Sequence, residues 1–125
     1  MDYMQGVAKV FQPSYYLDQS SISIVNDDYL ILYNNDSMGW VSIPIDTSLM
    51  LRIVDVMRMH SPNEVCVDGL TIQYINEGQH YEEGFVLSAS HASHGRVTAF
   101  LEEKDIDPFT DLLEGLSNGV KVRLT

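Results

Sequence analysis

Positive charge is what this chain has least of. Seven Lys and Arg residues stand against eighteen Asp and Glu, for a net charge of −11. The seven are Lys9, Arg52, Arg58, Arg96, Lys104, Lys121 and Arg123, scattered so that no basic stripe forms. Nucleic-acid binding rests on Lys and Arg contacts to phosphate, so this composition argues against it as the chain's role. The same charge favours solubility and positively charged partners.

Cysteine is nearly absent as well. Cys66 stands alone, so no disulfide forms within the chain, which fits a reducing compartment. Long apolar runs are missing: nothing approaches the roughly 20 residues that cross a bilayer. The start, Met1 to Gly6, lacks the basic head and apolar run of a secretion signal. The expectation is a cytoplasmic protein with no membrane partner; a virus-encoded protein acting inside a host cell reads the same way. No glycine-rich loop follows a strand and opens a helix, and Gly115 and Gly119 match no phosphate-binding motif.

What is present is regular patterning. A length of 125 residues fits one domain, 1–125, with a core that needs no metal or disulfide staple. Residues 7–11 form a short apolar segment ended by Pro13. Ile22 and Ile24 alternate with Ser21 and Ser23, the pattern of a half-buried strand. Asn26-Asp27-Asp28 supplies turn residues that tolerate the left-handed conformation. Tyr29 to Tyr33 is a dense β-former run, and Gly39 to Ile45 alternates again. Pro44 marks that strand as an edge or an ending. Asp46 reads as an N-cap, and Leu49, Ile53, Val56, Met57 and His60 give an amphipathic helix over about 47–60.

The second half repeats this grammar. Asp68-Gly69, between Val65–Val67 and Leu70–Tyr74, signals a tight hairpin. Phe85–Ala89 and Arg96–Glu102 read as two more strands. Asp107-Pro108 predicts a second helix, with proline at its first position, and Val120 to Leu124 a last strand. The fold class expected is α+β: a mainly antiparallel sheet with two helices on one face. Two ββββα-like halves, 7–60 and 64–124, are followed by a C-terminal strand. Pairing of the strand near Pro44, or of the terminal strand, across a homodimer is a further expectation.

No catalytic signature emerges, and the expectation is a protein that is not an enzyme and needs no cofactor. His91 and His94, with His80 or Glu82, have metal-ligating side chains but no spacing that fixes them in space; a polar turn is the plainer reading, and no metal site is assigned. Cys66, between two valines, reads as a small hydrophobe rather than a nucleophile. Adjacent acids such as Glu82-Glu83 and Glu102-Glu103 point to opposite faces of a strand and make no acid–base pair. Among the aromatics, Tyr29, Tyr33 and Tyr74 read as cross-strand packing partners. Tyr15, Tyr16, Trp40 and Tyr81 lie in or near loops and are the better interface candidates.

The function expected is a small acidic module that binds a basic protein, such as a nucleic-acid-binding protein or nuclease. Carboxylates steer the encounter and aromatics supply contact area. Immunity proteins and viral anti-defence inhibitors have this character, some by arraying carboxylates as nucleic acid arrays phosphates. The candidate residues are Tyr15, Tyr16, Asp27, Asp28, Asp36, Trp40, Tyr81, Glu82, Glu83, Glu102 and Glu103. The alternative comes from topology. Four strands and a helix, twice, resembles the Whirly, PC4-like and PUR-repeat single-strand binders over most of the chain. That resemblance implies binding across a sheet face rich in aromatic and basic residues. Here the aromatics are present and the bases are few.

Overall fold

The computed structural model describes residues 8–13, 19–35, 39–75, 83–91 and 95–119. They form an α+β fold of two ββββα halves. The first half runs β1 (Ala8–Phe11), β2 (Ser20–Val25), β3 (Tyr29–Asn34), β4 (Gly39–Pro44) and α1 (Thr47–Met59). The second runs β5 (Val65–Val67), β6 (Leu70–Ile75), β7 (Gly84–His91), β8 (Gly95–Glu102) and α2 (Glu103–Ser117). The eight strands make two four-stranded sheets, where one sheet was expected. Each sheet is antiparallel, with its strands in chain order. The Val120–Leu124 strand expectation lies outside the described residues.

Turn chemistry accounts for the hairpins. Asn26 and Asp27 take φ of 54° and 63°, and the Asp28 amide closes the turn onto the Val25 carbonyl at 3.2 Å. Asp68 and Gly69, with φ of 51° and 86°, form the tight β5–β6 turn. Pro44 ends β4, which is also an edge of its sheet.

Asp46 caps α1 by accepting the Leu49 amide at 2.8 Å. Leu49, Met50, Ile53, Val54 and Met57 form its buried stripe. His60 does not continue that stripe. It lies beyond the helix as a left-handed C-cap, φ 51°, and is exposed.

The start of α2 departs from expectation. Asp107-Pro108 does not open the helix, which begins at Glu103 and carries Pro108 inside it. β8 runs directly into α2, and the Glu103 amide is held by the Glu83 carbonyl at 3.0 Å. Proline's missing amide therefore removes an intrahelical bond to Lys104 instead of falling among the free amides of the first turn.

The halves interlock. Phe11 of β1 meets Phe109 of α2 edge to face, with ring centroids 5.3 Å apart. Arg58 of α1 pairs with Glu114 of α2 at 2.7 Å. The end of the β2–β3 hairpin closes on the outer edge of β8. Ser20 Oγ accepts the Phe100 amide at 3.2 Å, and Asn34 Nδ2 donates to the Thr98 carbonyl at 2.7 Å. Both faces of the last part of β8 are consequently covered. Val97, Ala99 and Leu101 are buried as their alternation predicts, and so are Phe100 and Glu102. One apolar cluster, from Phe11 to Leu113, draws on both sheets and both helices.

Candidate interaction surfaces

The outer face of the first sheet is an uncharged aromatic platform. Ile22, Ile24, Leu30, Leu32 and Val41 take the buried face of β2, β3 and β4. Period-two alternation then sends their neighbours outward. Register sets them in rows: Val25–Tyr29–Pro44, Val10–Ser23–Ile31–Ser42 and Ser21–Tyr33–Trp40. No Asp, Glu, Lys or Arg occupies any of these positions. Tyr29, Tyr33 and Trp40 are 42%, 40% and 56% exposed, and Val10 is 51% exposed. Trp40 lies on β4, directly opposite Tyr33. The Tyr33 hydroxyl donates to Asn35 Oδ1 at 3.1 Å, and Asn35 Nδ2 donates to Gln19 Oε1 at 2.8 Å. This chain of bonds holds the ring in place. Tyr29, expected to pack across strands, stands opposite Val25 and Pro44, and Tyr33 opposite Ser21 and Trp40; both are exposed to solvent. The signal for that exposure was their parity with Ser21 and Ser23, and against Leu30 and Leu32.

The second surface is acidic and lies on α2. Glu103, Asp107 and Asp111 are exposed at intervals of one helical turn. Their backbone positions are about 6 Å apart along the axis, four residues at roughly 1.5 Å each. Asp107 and Asp111 also line a cleft of about 140 Å³, with Met57, Arg58, His60, Ile106 and Thr110. Sequence reading missed this row because it placed Asp107 ahead of the helix. Once the helix starts at Glu103, the spacing is plain.

Several other acids have local work. Glu102 was expected to be exposed and is buried at the β8–α2 junction, where it pairs with Lys104 at 3.2 Å. That contact, reinforced by Asp105, raises the Lys104 pKa. Glu83 is half-buried and accepts a hydrogen bond from the Tyr74 hydroxyl. That bond, aided by burial and the negative charge of Glu83, pushes the Tyr74 pKa up to about 12. His60 packs edge-on against Tyr74, ring centroids 4.7 Å apart, and tilts over Phe85 at 5.6 Å. Asp27 is half-buried in its turn, with one oxygen shielded and lacking a hydrogen-bond partner. Asp28 is exposed, and its carbonyl accepts the Ile45 amide at 2.9 Å. Tyr15, Tyr16, Asp36, Tyr81 and Glu82 lie outside the described residues, as do His80 and His94. The candidates that are described therefore separate into the β2–β3 turn (Asp27, Asp28), the opposite end of the same sheet (Trp40) and the β7–β8–α2 junction (Glu83, Glu102, Glu103).

Four of the five described cations, Lys104 among them, are held by acids of the same chain. Arg52 pairs with Asp68 at 3.1 Å, Arg96 with Glu64 at 3.3 Å and Arg58 with Glu114 at 2.7 Å. Lys9 sits 5.8 Å from the centroid of the Phe11 ring. Lys121 and Arg123 lie outside the described residues. Cys66, expected to behave as a small hydrophobe, is exposed on the short edge strand β5. Among the described residues no group of three or more His, Cys, Asp or Glu could hold a metal ion, and no helix is long and apolar enough to cross a membrane. Neither a protein-family model nor a curated protein matches this chain.

Proposed function

We propose that this chain is a small acidic protein-binding module that docks on a basic surface of a partner. It would act in the cytoplasm as an inhibitor or adaptor of the immunity or viral anti-defence kind. The observation that carries this reading is the distribution of charge. Arg52, Arg58, Arg96 and Lys104 are spent on carboxylates of the same chain, while Glu103, Asp107 and Asp111 line up along α2 facing solvent. A row of carboxylates one turn apart presents negative charge at intervals comparable to those of phosphates along a strand. It therefore suits a partner built to grip nucleic acid. The attraction is long-ranged and speeds the encounter.

One observation favours the second reading, a single-strand nucleic-acid binder of Whirly, PC4-like or PUR-repeat topology. Tyr29, Tyr33 and Trp40 share one exposed sheet face, as a base-stacking platform requires. Against it, that face holds no cation to meet the phosphates.

The test begins with capture from host lysate, followed by direct titration of the purified partner and of labelled single-stranded DNA. A partner that binds wild type, weakens with salt and loses about tenfold or more in affinity on Asp107→Lys with Asp111→Lys supports the proposal. Indifference of the partner to both salt and charge reversal would sink it. Salt-sensitive DNA binding lost in Trp40→Ala would establish the second reading instead.

A further inference from the structure

The uncharged face of the first sheet calls for a different occupant from the acidic row. We infer that it is a self-association surface on which a second copy of this chain docks, sheet against sheet about a two-fold axis. The argument is independent of the proposal above and begins with charge. Two chains of −11 repel wherever their carboxylates meet. The face of β1 to β4 places ten paired positions, Val10 to Pro44, without a single carboxylate or cation. Like-charged copies meet there at least electrostatic cost. A basic partner, by contrast, would leave its own cations facing uncharged side chains.

Shape agrees with charge. The middle row alternates Val10 and Ile31 with the small Ser23 and Ser42, and the rows on either side carry Tyr29 and the Tyr33–Trp40 pair. The two serines leave low positions beside larger side chains. A two-fold operation can set the larger side chains of one copy over the serines of the other, giving an isologous contact. The face measures about 19 by 20 Å, roughly 400 Å² in projection, from ordinary strand spacing and rise. Stable dimers bury about 800 Å² per partner, so the expected dimer is weak and reversible.

Trp40 is the only tryptophan, so its emission reports on this face alone. The experiment is a dilution series of the full chain, followed by sedimentation and by tryptophan fluorescence at low and high salt. Expected is a monomer–dimer equilibrium whose dimer side carries blue-shifted Trp40 emission and which strengthens as salt screens the repulsion. Ser42→Asp puts like charges into the contact from an exposed position. It should weaken the dimer about tenfold or more with unchanged circular dichroism. Trp40→Ala, read by sedimentation, should do the same. Asp107→Asn with Asp111→Asn, on α2, should leave the dimer intact. A chain that stays monomeric at millimolar concentration overturns the inference. So does a dimer insensitive to both sheet variants, which would place the contact at a strand edge. Trp40 buried by a foreign partner while the chain remains monomeric overturns it too.

Discussion

A side chain on Gly84 has no room. Its Cβ would press into the Leu101 carbonyl oxygen and stand 2.8 Å from the Phe100 ring. The obstacle is backbone in the adjacent strand, which cannot swing aside. Gly84→Ala is expected to cost about 3 kcal/mol in denaturant titration, and an unchanged midpoint would contradict so close an approach of β7 and β8. Tyr74 allows a finer test. Its hydroxyl is bonded to the Glu83 carboxylate, and Tyr74→Phe should cost about 1 kcal/mol near neutral pH. Folded Tyr74 keeps its proton up to about pH 12, where an ordinary tyrosine loses it near 10. The folded state therefore holds that proton more tightly, so this stabilisation is complete below pH 10 and lost as pH rises to 12. The urea midpoints of wild type and Tyr74→Phe should converge across that window. Lys104, raised chiefly by Glu102, contributes a parallel loss in both proteins and cancels in the comparison. None of these contacts was legible in the sequence. Gly84, Glu83 and Glu102 owe their roles to partners across a hairpin, and residue type alone says nothing about that distance.

At the scale of elements, the strands and the first helix were legible because their signals are local. Alternation placed β2, β4 and β8. Asp68-Gly69 placed a turn, and Asp46 placed a cap. The division into two sheets was not legible, since alternation assigns a strand its buried face and leaves its neighbours open. The acidic row on α2 went unseen for a related reason. Proline at a first helical position is the commoner local rule, and it hid the four helical residues ahead of Asp107, Glu103 among them. What overrides the rule is the tether from the Glu103 amide to the Glu83 carbonyl, which starts the helix where β8 stops. Pro108 then costs the helix one hydrogen bond and a clash with the Lys104 carbonyl, about 3 kcal/mol. Its stiffness in the unfolded chain returns about 1. Pro108→Ala should accordingly raise stability by about 2 kcal/mol, read from urea unfolding. A loss of stability would mean the helix has already bent to fit the ring.

At the scale of the whole molecule, a net charge of −11 acts on folding as well as on binding. The compact state brings carboxylates together, and the row Glu103, Asp107 and Asp111 does so along one helix face. Opposing this are surface pairs such as Arg52–Asp68 and Arg96–Glu64, both half-exposed. Exposed pairs of that kind contribute about 0–1 kcal/mol each. Added salt weakens both effects. Between about 10 and 150 mM salt the screening length falls from roughly 30 to 8 Å. Repulsion among eighteen acids reaches across the molecule and is screened first, whereas pairs in contact near 3 Å are screened least. The thermal midpoint should therefore rise with salt, by about 4 °C for each 1 kcal/mol of repulsion removed from a domain this size. The measurement belongs on dilute protein carrying Ser42→Asp, so that self-association adds nothing. A falling midpoint would mean that local pairs outweigh the field. The carboxylate row would then lack the uncompensated negative potential that docking on a basic surface requires.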